Sequence, residues 1–449
     1  MLLIRVLRSF LLTTIVFLVG SAEAAAPRPH VVFLLADDLG WGDVGYHGGE
    51  IATPQIDALA REGVRLEQLY AQSLCTPTRA ALLTGRYPTR FGLQSGVVRP
   101  WARYGLPLDE RLLSQALAEA GYATAITGKW HLGHFERAYL PTRRGFERQY
   151  GPYNGAIDSY THERDGGLDW HRDDTALREP GHATALIARE AARIIAVHDP
   201  KRPLFLYVPF TAVHAPYQAD ARHTEPYAHL PAERRRYAGM LAALDEAIGR
   251  ILAALEEKGL RDDTLIVFCS DNGGPAPGVI TSNGPLRGGK GTLYEGGVRV
   301  PAIAVWKGRI EPGRVVESPL HMVDWYPTLL GLAGASLAQP HPLDGRDAWP
   351  TIGRGAPSPH EEILLGVAKH GGAIRIGDWK LIVDGGGDRV ELFDLAADPA
   401  EKTNLAAREP ARVKAMRARL DAHVRTAAPS KQAPKPPGFG VPAVWGEAS

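Results

Sequence analysis

Four uninterrupted apolar runs punctuate the chain: His30-Val-Val-Phe-Leu-Leu35, Leu204-Phe-Leu-Tyr-Val208, Thr264-Leu-Ile-Val-Phe268 and Ala302-Ile-Ala-Val-Trp306. A strand with one wet face alternates apolar and polar side chains, so an unbroken run predicts a strand covered on both faces. Between these runs the apolar period becomes helical. From Glu233 to Lys258, Met240, Leu241, Leu244, Ile248, Ile251, Leu252 and Leu255 recur at spacings of three and four, and Gly259 stands where a helix C-cap belongs. A second helical stretch, Asp109 to Ala120, stops at Gly121. Buried strands alternating with helices predict an α/β fold, a mostly parallel sheet flanked by helices. Ligands of such sheets bind beyond the carboxyl ends of the strands.

After about residue 345 the texture changes. Ala373 to Ile382 and Val390 to Asp394 predict short strands of a meander, and Glu409 to Val424 predicts a helix. We therefore expect a main domain over residues 25–345 and a smaller C-terminal α+β domain with an antiparallel sheet over 346–449. The Pro-, Gly- and Ala-rich tail from Ala428 is expected to lie on the surface, and the long loops 135–180 and 272–300 to carry specificity elements.

The first residues read as an address. Arg5 and Arg8 precede the apolar run Phe10 to Gly20, and Ala22-Glu23-Ala24 supplies a small-residue cleavage site. This is the layout of a secretory signal peptide over residues 1–24, and the run is shorter than the roughly 20 residues of a membrane span. An uncleaved N-terminal anchor is the alternative; no later segment suggests an integral membrane span. The expectation is an exported protein, periplasmic or secreted. Two cysteines, Cys75 and Cys269, cannot build the disulfide framework common in animal extracellular proteins, which points to a bacterial source.

Composition excludes more than it identifies. The 51 Lys+Arg against 50 Asp+Glu lack the basic excess of a nucleic-acid-binding protein, and 45% hydrophobic residues exclude a disordered chain. With so little net charge, any anion site must be built locally.

Chemistry gathers at the strand ends. The first run leads into Asp37-Asp38 and the third into Ser270-Asp271-Asn272, an all-oxygen donor set suited to a hard cation such as Ca²⁺ or Mg²⁺. Surface turns are the other reading of each pair taken alone. In Ser73-Leu-Cys75-Thr-Pro77-Thr-Arg79-Ala-Ala-Leu-Leu-Thr-Gly85, Thr76 and Pro77 predict the N-cap and first turn of a short helix, placing Cys75 where free N–H groups favour an anion. Arg79 follows one turn on. Lys129 and Lys290 sit in Gly-Lys pairs within Gly-rich loops, where the backbone can approach a ligand closely.

This cysteine segment resembles the signature of the type I sulfatases, whose cysteine is converted after translation to formylglycine. Gly121-Tyr-Ala-Thr-Ala-Ile-Thr-Gly128-Lys129-Trp-His131 resembles the family's second signature, with Thr127 where a small apolar residue is commoner. Leu140 to Phe146, Gly288 to Gly297 and Glu391 to Leu395 also look familial, and the stretch from Leu74 to Gln94 is most similar to the arylsulfatase B branch. The resemblance implies an alkaline-phosphatase-like fold and hydrolysis of sulfate monoesters, with aryl sulfates as assay substrates and sulfated sugars such as N-acetylgalactosamine sulfate as natural ones. It implies Ca²⁺, with Mg²⁺ second, held by Asp37, Asp38, Asp271, Asn272 and the modified Cys75. Arg79, Lys129, His131, His214 and Lys290 would line the sulfate pocket. His131 would remove the proton that drives sulfate release, His214 or Lys290 would serve the leaving oxygen, and Asp271 would help activate the attacking hydroxyl. A formylglycine-generating enzyme or anaerobic maturase is the implied partner. A phosphodiesterase or phosphonate monoester hydrolase remains the nearest alternative, and a sulfoglycan-binding protein with unmatured Cys75 another. Lys307, Arg309 and the aromatic stretch Tyr150–Tyr160 are open between contact with a polymer and plain surface.

Overall fold

All four apolar runs form strands of one ten-stranded sheet. The computed structural model describes residues 28–275, 280–384, 386 and 388–447, so the signal-peptide segment lies outside the described residues. In chain order the sheet's strands are β1 His30–Ala36, β2 Val64–Leu66, β3 Ala123–Thr127, β4 Arg148–Gly151, β5 His171–Arg172, β6 Thr175–Ala176, β7 Leu204–Pro209, β8 Thr264–Ser270, β9 Ala302–Val305 and β10 Arg314–Val316. They lie in the order β10-β2-β9-β8-β1-β7-β3-β4-β5-β6. The five central strands, from β8 to β4, run parallel, so their carboxyl ends share one edge. Strand β9 runs antiparallel to β8 and β2, and β5 antiparallel to β4. At the far edge β10 pairs parallel with β2, so the sheet is mixed, with its longest parallel run at the centre.

Burial explains the unbroken runs. Val31, Phe33 and Leu35 of β1 enter one core with Trp325 and Tyr326, while Val32, Leu34 and Ala36 enter another with the helices Ala183–Val197 and Ala232–Lys258. The latter helix ends at Gly259 in the left-handed conformation, as its sequence predicts. The stretch expected to be helical from Asp109 is so only over Leu113–Glu119. Cys269 is a core residue, and neither cysteine is in a disulfide.

The C-terminal sheet has four antiparallel strands, β11 Ile363–Ala368, β12 Gly371–Ile376, β13 Trp379–Asp384 and β14 Arg389–Asp394, backed by the helix Pro410–Thr426. The stretch Ala373 to Ile382, expected to form short strands of a meander, is a hairpin whose turn includes Gly377 at φ 57°. Fully buried Lys380 of β13 reaches Glu295 at 2.8 Å and Glu401 at 2.9 Å. Burial pushes both carboxyls up; Lys380 and Arg299 outweigh it at Glu295, whose pKa falls, while Glu295's own charge keeps Glu401 raised. Glu295 also accepts from Tyr70 Oη at 2.7 Å. This cluster pins the loop that carries Lys290. The tail beyond Ala428 hugs the surface: Ala428 N donates to Thr89 O (2.8 Å), Lys431 N to Gly92 O (2.7 Å) and Trp445 Nε1 to Arg164 O (2.9 Å). Among the described residues, no helix is long and apolar enough to cross a membrane.

Removing one partner from a buried ion cluster strands the other charges, at a cost of about 3–5 kcal/mol. Lys380→Met is expected to lower the stability read by urea denaturation by that amount; an unchanged midpoint would show that the cluster does not pin the Lys290 loop to the C-terminal sheet.

Candidate active site

The candidate residues converge from four central strands and a helix. Asp37 and Asp38 follow β1, Asp271 and Asn272 follow β8, Lys129 and His131 follow β3, and His214 follows β7. Gly128 is required where β3 ends: at φ 132°, a Cβ there would lie 2.0 Å from Pro209 O of β7. The helix Cys75–Thr84 contributes Cys75 and Arg79. It starts two residues earlier than the sequence reading placed it, with Leu74 as N-cap and Cys75 as its first residue. Thr76, read as the cap, instead donates its Oγ1 to His131 O at 2.9 Å and accepts from Val98 N at 3.1 Å. The local capping preference gives way to a tertiary bond that ties three site segments together.

Three carboxylates are buried side by side, and each has its own cation. Lys129 Nζ donates to Asp37 Oδ2, Arg79 Nη2 to Asp271 Oδ2 at 2.8 Å, and Lys290 Nζ contacts Asp38 Oδ1 at 2.7 Å. Arg79 also donates to Lys129 O at 3.0 Å. Burial alone would raise the Asp37 pKa, but Lys129, His214, Arg79 and Lys290 hold it below the usual carboxylate range. Burial and the neighbouring Asp37 charge push Asp271 up. Asp38 holds a left-handed backbone, φ 64°, uncommon for a non-glycine residue.

Cys75 lies against this cluster. Its thiol donates to Asp37 Oδ1 at 3.5 Å and accepts from Lys290 Nζ at 3.5 Å. Burial, with the Asp271 and Asp37 charges, pushes the thiol far above its ordinary pKa despite Lys129 and Lys290. A thiol held protonated is a poor nucleophile.

Cys75, His131, His214 and Lys290 line a cavity of about 480 Å³. Arg79 and Lys129, expected to face a bound anion, are fully buried with their charges turned to the carboxylates. His131 Nε2 faces Val98 O at 3.1 Å, which fixes the ring proton there and leaves buried Nδ1 without a partner. Burial and the charges of Lys129 and Arg79 hold its pKa well below the ordinary value, so the ring is neutral and able to accept a proton. The loop carrying Gly155 packs directly on this imidazole, where a Cβ would lie 2.3 Å from Cε1. His47 and His134 are structural: His47 stacks on Trp41, and His134 bonds Pro100 O and packs on Trp445.

The donor atoms gathered here could hold a metal ion. Donor atoms of Asp37, Asp38, Cys75 and His214 all lie within 4.8 Å of one another. Asn272 donates Nδ2 to Asp38 Oδ1 at 2.7 Å, while its buried Oδ1 has no partner. Asp271 Oδ1 accepts from Asp38 N at 3.3 Å, one bond away from the group. Sequence reading missed the outer cavity wall, where Arg99, Trp101, Arg164 and Gln432 come from three distant segments without a motif. It also missed Asp169, which accepts from Tyr153 N and Asn154 N and so fixes the strand of chain whose Tyr153 O receives His131 N. Lys307 pairs with Asp262, Tyr150 and Tyr153 are buried, and none of these lines the cavity.

Comparison with known proteins identifies the family. The sequence pattern of the Sulfatase family matches residues 29–335. Mouse arylsulfatase J is 39% identical over 93% of this chain and 79% of its own. Mouse N-acetylgalactosamine-6-sulfatase is 36% identical over 75% of this chain and 68% of its own. The crystal structure of Ps i-CgsB superposes with a TM-score of 0.84 at 31% identity, covering 90% of this chain and 94% of that one.

A cation bound only by the folded chain at 100 times its Kd stabilises it by about 2.7 kcal/mol. Calcium chloride added to chelator-treated protein is therefore expected to raise Tm, and Asn272→Ala to remove most of the rise. An equal rise in the variant would place the cation elsewhere.

Proposed function

The chain belongs to the sulfatase family, whose members hydrolyse sulfate esters, and from that premise we propose that it acts through a formylglycine at position 75 beside a bound Ca²⁺. The observation that carries this reading is the position of Cys75, the first residue of a buried helix, between Asp37 and Lys290 at the floor of a cavity. An aldehyde hydrate at that position would supply one hydroxyl to attack sulfur and a second whose deprotonation releases sulfate, which a serine or cysteine cannot do. Asp37, Asp38, Asp271 and Asn272 would hold Ca²⁺, which would supply Lewis acidity at the sulfuryl oxygens.

The chain's own groups divide the remaining work. Neutral His131, with Nδ1 free, accepts the proton whose removal drives sulfate release. Lys290 and His214, both lining the cavity, stabilise or protonate the leaving oxygen. Arg79 and Lys129 add fixed positive charge one carboxylate away from Cys75. Mg²⁺ suits the same oxygen donors but demands stricter octahedral geometry. The substrate class we favour is a sulfated sugar, N-acetylgalactosamine sulfate among them, in keeping with the similarity to mouse N-acetylgalactosamine-6-sulfatase. Residues 1–24 would direct export to a bacterial periplasm or medium, and a maturase of the host would oxidise Cys75.

Conversion of the thiol to the aldehyde exchanges sulfur for oxygen with loss of two hydrogens, so the Cys75 peptide from active protein is expected about 18 Da below the cysteine mass. The same preparation should hydrolyse an aryl sulfate far faster than an aryl phosphate diester or a phosphonate monoester, and Cys75→Ser should lose turnover by about 1000-fold or more. An unmodified peptide in fully active protein would refute the aldehyde; faster phosphonate than sulfate hydrolysis would move the chain to the rival reading.

A further inference from the structure

Beyond the residues assigned to the sulfate end, the cavity has a second, outer wall. It is formed by Arg99, Trp101 and Tyr104 from one loop, Arg164 from another, and Gln432 from the C-terminal tail. At about 480 Å³ the cavity is ligand-sized and far larger than one sulfuryl group needs. Among the described residues that line it, none is acidic.

The charges of this outer wall differ from those of the carboxylate cluster. Lys129, Arg79 and Lys290 each contact a buried carboxylate. Arg99 is exposed; its carbonyl accepts from Ala102 N at 2.8 Å, while its guanidinium makes no hydrogen bond or ion pair among the described residues. Arg164 has only a loose 3.4 Å contact with its neighbour Asp165, and its buried Nε has no hydrogen bond. Two guanidiniums without committed protein partners therefore border one cavity. The planar fork of arginine suits carboxylate and sulfate oxygens.

The wall is also held in place. Trp101 Nε1 donates to Ala433 O at 3.0 Å, and its ring packs against Phe439 and under the Lys435 ammonium. Trp445, farther along the tail, fixes the Arg164 backbone through its 2.9 Å bond to Arg164 O. The tail thus anchors both arginine-bearing segments. Half-buried Trp101 and Tyr104 offer apolar ring surface beside them, suited to the faces of a pyranose.

We infer that this outer wall is a subsite for a second anionic group, carboxylate or sulfate, on the sugar next to the one bearing the scissile ester, read by Arg99 and Arg164. The inference rests on the sulfatase reading above and narrows it to polyanionic glycans.

The test uses full-length matured protein and four substrates. These are an aryl sulfate, N-acetylgalactosamine sulfate linked to neutral glucose, the same sugar linked to glucuronate, and the same sugar linked to sulfated glucose. Wild type should favour the two doubly anionic disaccharides over the neutral-neighbour one by about tenfold or more in kcat/KM. Arg99→Ala and Arg164→Ala should each shrink that ratio several-fold, Arg99→Glu should abolish it, and Arg99→Lys should keep part of it. The two anionic arms show whether carboxylate, sulfate or both are accepted. Hydrolysis of the aryl sulfate with no preference among the disaccharides, or a preference untouched by the arginine variants, would overturn the subsite alone. Failure of matured wild type on every sulfate ester would overturn the functional reading with it.

Discussion

Burying Asp37, Asp38 and Asp271 together at the ends of two adjacent parallel strands is the constraint that shapes everything around them. Two like charges about 4 Å apart repel by about 4 kcal/mol at an effective dielectric of 20, and desolvation penalises each one further. The chain answers with one cation for each carboxylate: Lys129 on Asp37, Arg79 on Asp271 and Lys290 on Asp38. The cluster is then neutral by itself, and a divalent ion would make it net positive. An anionic ester needs that surplus, and a chain with nearly equal numbers of acidic and basic residues supplies it nowhere else at long range.

Much of the remaining structure maintains this arrangement. Lys290 reaches Cys75 from a Gly-rich loop whose Gly291 N donates to Ser73 O at 2.8 Å, and whose Glu295 is buried against Lys380 of the C-terminal sheet. The smaller sheet is therefore part of the site's support. On the opposite side, Thr76 ties the Cys75 helix to His131 and to the segment of Val98 that fixes the His131 ring. His131 itself holds a left-handed backbone at φ 60°, a conformation that persists only where surrounding contacts determine it.

The parts legible from sequence were those whose chemistry is local. An apolar run followed by paired carboxylates marks a buried strand that carries those carboxylates to the sheet edge, and the Cys-x-Pro-x-Arg spacing marks a helix start. Strand direction is not written in an apolar run, so β9 was indistinguishable from its parallel neighbours until its pairing with β8 was seen. Capping preference pointed to Thr76, but two tertiary hydrogen bonds claimed its hydroxyl. Arg79 and Lys129 were expected to face the sulfate because arginine and lysine bind anions; burial of three carboxylates beneath gave them nearer partners. Arg99, Arg164 and Gln432 carry no motif at all, and only folding of the tail across residues 89–101 and 164–168 brings them to one cavity.

The central claim, a hard cation gripped beside an oxidised side chain, is tested most directly by a crystal structure of the purified protein grown with millimolar calcium. The account predicts a single ion within about 2.3–2.6 Å of oxygens from Asp37, Asp38, Asp271 and Asn272. It also predicts oxygen rather than sulfur on the Cβ of residue 75. A fully ordered site that binds no ion at that calcium concentration, or one that retains an intact thiol in active crystals, would contradict it.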